Sequence, residues 1–147
     1  MIRVAGTFLW LGLGASLGLA GCNESWTKHF ENVDAAKKEG LIDKGWIPPF
    51  IPQDATDIVV SGDLDSAIVV GSFISKDSDN VGRNCSNAPD SFRVPYYAIG
   101  WLESTAVADT AGALKSKGYE LFECADAFDL AYRKSMHHYY YWNRRRK

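Results

Sequence analysis

The first 21 residues of this 147-residue chain are closed to the fold. Arg3 gives a positive start, Val4 to Leu19 carry no charge, and the small residues Ala20 and Gly21 stand directly before Cys22. A stretch of that shape is an export signal, removed from the mature protein. Taking 21 residues from 147 leaves 126, which fits one domain around one core. Hydrophobic residues make up 46% of the chain, ordinary for a globular protein and too many for a disordered spacer. No internal repeat or long low-complexity tract divides the sequence.

The ending Leu19-Ala20-Gly21-Cys22 resembles the lipobox of bacterial lipoproteins. The resemblance implies a diacylglycerol on the Cys22 sulfur, cleavage after Gly21 and acylation of the new N-terminus. It makes the lipid bilayer a partner and the bacterial cell envelope the location. Asn23 follows the cysteine where an Asp would be the retention signal of the inner membrane, so the same resemblance implies the periplasmic face of the outer membrane in a two-membrane host. Two other readings stand beside it. One is an ordinary cleaved signal with Cys22 as a thiol. The other is a retained helix, for which the apolar run is short of the ~20 residues of a span and holds Gly6, Gly12, Gly14 and Gly18.

Two further cysteines, Cys85 and Cys124, complete the set. An even number in an exported chain points to a disulfide. Their separation excludes a Cys-x-x-Cys redox motif and gives no support to a zinc ribbon.

Residues 22–28 read as the lipidated cysteine and a short tether, and residues 29–143 as the domain. Trp26 and Phe30 stand four apart, as on one helical face. Asp34 can cap a short helix over Ala35–Glu39, which Gly40 stops. The run Trp46-Ile47-Pro48-Pro49-Phe50-Ile51-Pro52 is extended, because its prolines exclude a helix interior and a central strand. Its bulky apolar residues would wrap the core.

Strands are predicted around Ile58-Val59-Val60 and over Ser66–Ile74, with a polar loop at Asp77–Pro89. Tyr96–Leu102 reads as another strand. Ser104–Lys117 reads as the clearest helix, with Val107, Ala111 and Leu114 in one stripe and Gly118 as its stop. Tyr119–Cys124 and Phe128–Tyr132 alternate, and His138–Asn143 returns as an aromatic strand. The fold class is α+β: a small antiparallel sheet with one or two helices, ending in a C-terminal β-hairpin.

The elements Gly45-Trp46-Ile47-Pro48, Ile51-Pro52, Ala55, Ile58 and Asp63-Leu64-Asp65 resemble the signature of a family of small uncharacterised bacterial lipoproteins. The helix before them, the Gly118–Cys124 strand and the aromatic hairpin fit the same family. The resemblance implies an anchored periplasmic domain and supplies no catalytic residue. The long tyrosine run and the Arg-rich end are particular to this chain.

No pattern here supports an enzyme. Asp77-Ser78-Asp79-Asn80-Val81-Gly82 opens like a calcium loop, but Val81 and Ala88 stand where oxygen ligands are needed. Asp54, Asp57, Asp63 and Asp65 lie at turns, where acids serve local hydrogen bonds. His137 and His138 are adjacent and would point to opposite faces of a strand. The His-Glu-x-x-His, Gly-x-Ser-x-Gly and phosphate-loop motifs are missing. Catalytic residues, metal ligands and cofactors are therefore expected to be none.

The charge is uneven. From Cys22 to Tyr132 there are 9 Lys/Arg against 18 Asp/Glu; from Arg133 to Lys147 there are 6 Lys/Arg and no acid. The tail 144–147 is Arg-Arg-Arg-Lys, which suits anionic headgroups or an acidic partner. Tyr140 and Trp142 share one face of the last strand. With Arg144, Arg145 and Arg146 they form the candidate contact surface for an unidentified envelope protein. Nucleic acid is not expected in that compartment. The functional expectation is an anchored, non-enzymatic binding or envelope-structure module. The alternative is an immunity or inhibitor lipoprotein, whose acidic body would steer toward a basic toxin.

Overall fold

The structure is a computed structural model and describes residues 25–99 and 110–144. Its strands are β1 (Ser25–Asn32), β2 (Thr56–Asp63), β3 (Ile68–Ile74), β4 (Cys85–Asn87), β5 (Tyr119–Cys124), β6 (Phe128–Arg133) and β7 (His138–Asn143). The helices are α1 (Val33–Lys38), α2 (Asp79–Asn84), α3 (Tyr96–Ile99) and α4 (Ala111–Lys115). The described residues form one antiparallel sheet in the order β1-β2-β3-β7-β6-β5-β4. The α+β expectation holds in outline, with more sheet and shorter helices than the sequence suggested.

The last strand of the chain lies in the middle of the sheet. β7 pairs with β3 on one side and β6 on the other, and so joins two runs of consecutive strands. A strand sends alternate side chains to opposite faces. Tyr139 and Tyr141 enter one core with Val33 and Ala36 of α1, Ile47, Phe50 and Ile51 of the proline-rich segment, and Val81 of α2. Tyr140 and Trp142 enter the other, with Ala98 of α3 and Ala111 and Leu114 of α4. Both faces of β7 are thus covered, which is why this strand has no polar alternation.

Cross-strand rings hold it there. Tyr139 is sandwiched between its two ladder partners, Phe73 at 4.9 Å and Tyr132 at 4.3 Å between ring centroids. Tyr141 lies across Gly71, its partner on β3. Burying one such ring removes roughly 150–250 Å² from water, worth about 4–6 kcal/mol as an upper estimate.

The proline-rich segment packs as expected: Ile47, Phe50 and Ile51 are buried, and the Tyr141 hydroxyl donates to the Trp46 carbonyl at 3.3 Å. Several local expectations change. Trp26 and Phe30 share a face of β1, not of a helix, and Ser25–Lys28, expected as tether, form the first half of that strand. Pairing with β2 across its whole length overrides any helical spacing. Asn32 caps α1 through a bond from Ala35 N at 3.0 Å, two residues before the expected cap Asp34. The 77–89 loop contains α2 and β4.

Tyr96–Ile99 is a helical turn where a strand was expected; Pro95 ahead of it starts a helix as readily as it interrupts a strand. The described part of the expected 104–117 helix is Ala111–Lys115, capped by Thr110. The expected start at Ser104, with Val107, lies outside the described residues.

A methyl group at Gly71 would stand 2.4 Å from both the Tyr141 ring and the Val59 carbonyl. The carbonyl is backbone and cannot turn away. Gly71→Ala is therefore expected to cost about 3 kcal/mol or more, as overpacking does. Gly82→Ala, which meets nothing within 4 Å, should be neutral or gain up to about 1 kcal/mol. Urea denaturation of the two variants checks this, and equal midpoints would contradict the packing of β7 against β3.

Candidate functional site

Register decides which residues can meet. At one end of the sheet stand Ser25 beside Asp63, the turn from Leu64 to Ala67, Asn143 beside Phe128, and the turn at Ala125–Ala127. Asp63 Oδ1 accepts from Asp65 N at 3.0 Å and Ser66 N at 3.2 Å, which closes the first turn. Asn143 ties that turn to β7: its Oδ1 accepts from Val69 N at 2.9 Å and its Nδ2 donates to the Ala67 carbonyl at 2.8 Å.

A cleft of about 590 Å³ opens at this end, lined by Asp43, Ser66, Asp126, Phe128 and Arg144 among others. A second cleft, of about 250 Å³, shares Gly45, Ala67 and Asn143 with it and is walled by Trp26, Lys44 and Trp46. Trp26 lies over Gly62, its partner on β2, where a methyl group would be 2.5 Å from the ring. Trp46 packs on Trp26 at 4.3 Å, and the Lys44 ammonium sits 5.5 Å from the Trp46 ring. The Ser66 hydroxyl and the Trp26 indole nitrogen are buried there without a hydrogen-bond partner.

Arg144 is the best-fixed basic residue at this end. Its backbone N–H donates to the Ala127 carbonyl at 2.6 Å, and its guanidinium donates to the Cys124 carbonyl. Its Nε stands 3.5 Å from Asp129 Oδ1. Asp129 is 2% exposed, between Glu123 of β5 and Trp142 of β7. The Trp142 indole does not close a hydrogen bond of standard geometry to it. Burial pushes the Asp129 carboxyl up to about 6, and Glu123 adds to that; Arg144 pulls the other way.

The expected contact surface is thus only partly brought together. Tyr140 and Trp142 are 4% and 1% exposed and cannot form a surface patch. The sequence placed the strand correctly but assumed that it had a solvent side; insertion between β3 and β6 removes that side. Arg144 is at the surface, while Arg145, Arg146 and Cys22 lie outside the described residues. Cys85 and Cys124 are directly opposed on β4 and β5 and joined by a disulfide. Bridging a loop of that length stabilises by about 4 kcal/mol in the chain-entropy account.

The other acids do not converge. Asp54 is at the far end of β2 from Asp63, accepting from Ser75 Oγ and from Lys76 N. Asp77 Oδ1 accepts from Asp79 N at 3.0 Å and Asn80 N at 3.3 Å, so it caps α2. His138 is half-buried against Tyr140, and burial lowers its pKa. Among the described residues no three His, Cys, Asp or Glu side chains gather as a metal site.

The sequence reading missed Asp129 and the paired tryptophans. Asp129 could have been found, since an acid interrupts the apolar run Phe128–Tyr132 at an inward position. The tryptophans could not, because nothing local shows that Trp26 lies over Gly62 and packs on Trp46.

Residues 24–74 match the model of the YbbD head domain. The stretch covers β1, α1, β2 and β3, about a third of the chain, and contains Gly45–Asp65. No curated protein and no solved structure matches this chain. The head-domain-like stretch supplies the Trp26–Trp46 wall of the clefts, and the rest of the chain supplies Asp126, Phe128, Asn143 and Arg144.

A raised carboxyl in the folded state sets a pH dependence. Below the ordinary value of 3.8 Asp129 is protonated whether folded or not; from there to about 6 only the folded form keeps its proton. The stability this group contributes is complete below 3.8, falls as pH rises through about 6, and is lost above it. Subtracting the stability of Asp129→Asn removes the titrations common to both. The difference should move against the wild type across that window and flatten above it. A difference that does not change with pH would show that Asp129 titrates normally.

Proposed function

We propose that this protein is a lipid-anchored module of the bacterial cell envelope, held through acylated Cys22 and acting by binding or by structure instead of catalysis. One observation carries the reading: Leu19-Ala20-Gly21-Cys22 closes an uncharged apolar segment, and the sheet begins only three residues later, at Ser25. The disulfide supports it, since such bonds persist in oxidising compartments outside the cytosol. The arrangement of the side chains supports it too. Asp63 and Asp77 accept backbone hydrogen bonds in turns, and Tyr119, Tyr132, Tyr139, Tyr140 and Tyr141 fill the core.

A triacylated cysteine holds a protein firmly, because each buried CH₂ contributes about 0.8 kcal/mol. The domain would then search only the space next to its membrane. Cys22→Ser tests the anchor in cells. The variant should leave the membrane fraction or keep its leader, and the wild-type N-terminal peptide should carry three acyl chains by mass. Normal processing with an unchanged membrane fraction in the variant would contradict the proposal.

A further inference from the structure

Among the described residues, Asp129 is the one carboxylate or cationic side chain that lies buried. Its ladder partners are Glu123 on β5 and Trp142 on β7. Its Oδ1 is shut off from water and has no hydrogen-bond partner, and the Trp142 indole nitrogen has none either. Arg144 Nε stands 3.5 Å from the same oxygen, beyond the usual bond length of about 2.7–3.2 Å. The guanidinium is instead engaged on the Cys124 carbonyl, and the Arg144 backbone N–H is fixed on the Ala127 carbonyl at 2.6 Å.

We infer that Arg144 is a proton-controlled arm: while Asp129 is protonated the guanidinium rests on the Cys124 carbonyl, and when Asp129 ionises it is drawn off that carbonyl onto the carboxylate. An ionised oxygen buried without a hydrogen bond is costly, whereas a neutral carboxyl tolerates the gap far better. The arrangement in the structure is therefore that of the protonated form. Two donors stand ready for the ionised form, Arg144 Nε and the Trp142 indole N–H. Closing the first needs an approach of roughly half an ångström. The guanidinium is a rigid plane that stays charged, so bringing its Nε inward pulls its Nη away from Cys124. The backbone bond to Ala127 takes no part and serves as the hinge.

Burial holds the Asp129 carboxyl up to about 6, Arg144 draws it down, and Glu123 pushes it up. Arg93 stands next to Phe92 in the segment packed on Trp142 and has an interaction of its own. The arm thus answers to one proton, with Arg144 on Cys124 below about 6 and on Asp129 above it. Its position matters at the surface, because Arg144 lines the larger cleft together with Asp43 and Asp126. Drawn onto Asp129, its charge is spent on a buried carboxylate. Released from it, the charge is left to the cleft.

Nuclear magnetic resonance on the protein as isolated from cells, isotopically labelled and held in detergent micelles, reads the arm directly. Three signals should shift together with one midpoint near 6: the Asp129 carboxyl carbon, the Arg144 Nε–H and the Cys124 carbonyl carbon. In Asp129→Asn the Arg144 and Cys124 signals should no longer follow pH. Arg144→Met separates a moving arm from the mere field of a nearby charge. In that variant the Asp129 midpoint should rise, and the Cys124 carbonyl should lose most of its response. Glu123→Gln decides the matter if Asp129→Asn does not fold, since it should lower the midpoint of all three signals together.

Titration of Asp129 without any change in the Arg144 signal overturns the arm, since the carboxyl would then ionise with no answering donor. A Cys124 carbonyl that responds as fully in Arg144→Met as in the wild type overturns it too. So does an Arg144 signal that keeps its midpoint in Asp129→Asn, for another group would be driving it. An Asp129 carboxyl that titrates at the ordinary 3.8 removes the proton on which the arm depends.

Discussion

Insertion of the last strand between β3 and β6 is the constraint on which the rest of the molecule depends. Without β7 the chain would present two edges at β3 and β6, each with a row of unpaired backbone groups. Pairing on both sides satisfies those groups, and it also removes any solvent face from β7. Tyr139, Tyr140, Tyr141 and Trp142 are the sequence consequence. Each must fill core on its own side, and Gly71 must stay small so that Tyr141 can cross it. The same device recurs nearer the edge, where Gly62 lets Trp26 lie flat.

The placement of β7 also sets what the surface can do. Ser25, which opens β1, and Asn143, which closes β7, therefore stand at the same end of the sheet. The clefts at that end are built from both runs of strands. The head-domain-like stretch contributes the tryptophan wall, and the later strands contribute Arg144 and the Asp126 turn. Asp129 couples the interior to this surface, for its carboxyl is buried while its partner Arg144 reaches solvent.

The parts of this fold legible in the sequence were those written in local alternation and turn chemistry. The strands at Tyr119–Cys124 and Phe128–Tyr132 carry their own period of two, and those at Ile58–Val60 and His138–Asn143 show as β-branched and aromatic runs. Gly40 and Gly118 adopt the left-handed conformation that stops a helix. The disulfide followed from count and compartment. Strand order was not legible, because it depends on contacts between segments far apart in sequence. That gap produced the main error: the aromatic strand was read with one face toward solvent, and it lies at the centre of the sheet with both faces covered. Trp26 and Phe30 misled for the opposite reason, since a spacing of four suits one face of a strand as well as one face of a helix.

The central claim is that β7 makes the two runs of strands into one cooperative unit. Native-state hydrogen exchange at low denaturant tests it most directly. Amides of Tyr139 to Trp142 should exchange only through global unfolding, with the same free energy as the paired amides of β3 and β6. The outer amides of β1, which is an edge, should exchange sooner. The account is contradicted if β1, β2 and β3 stay protected at a higher free energy while β5, β6 and β7 open below it, for the two runs would then fold apart.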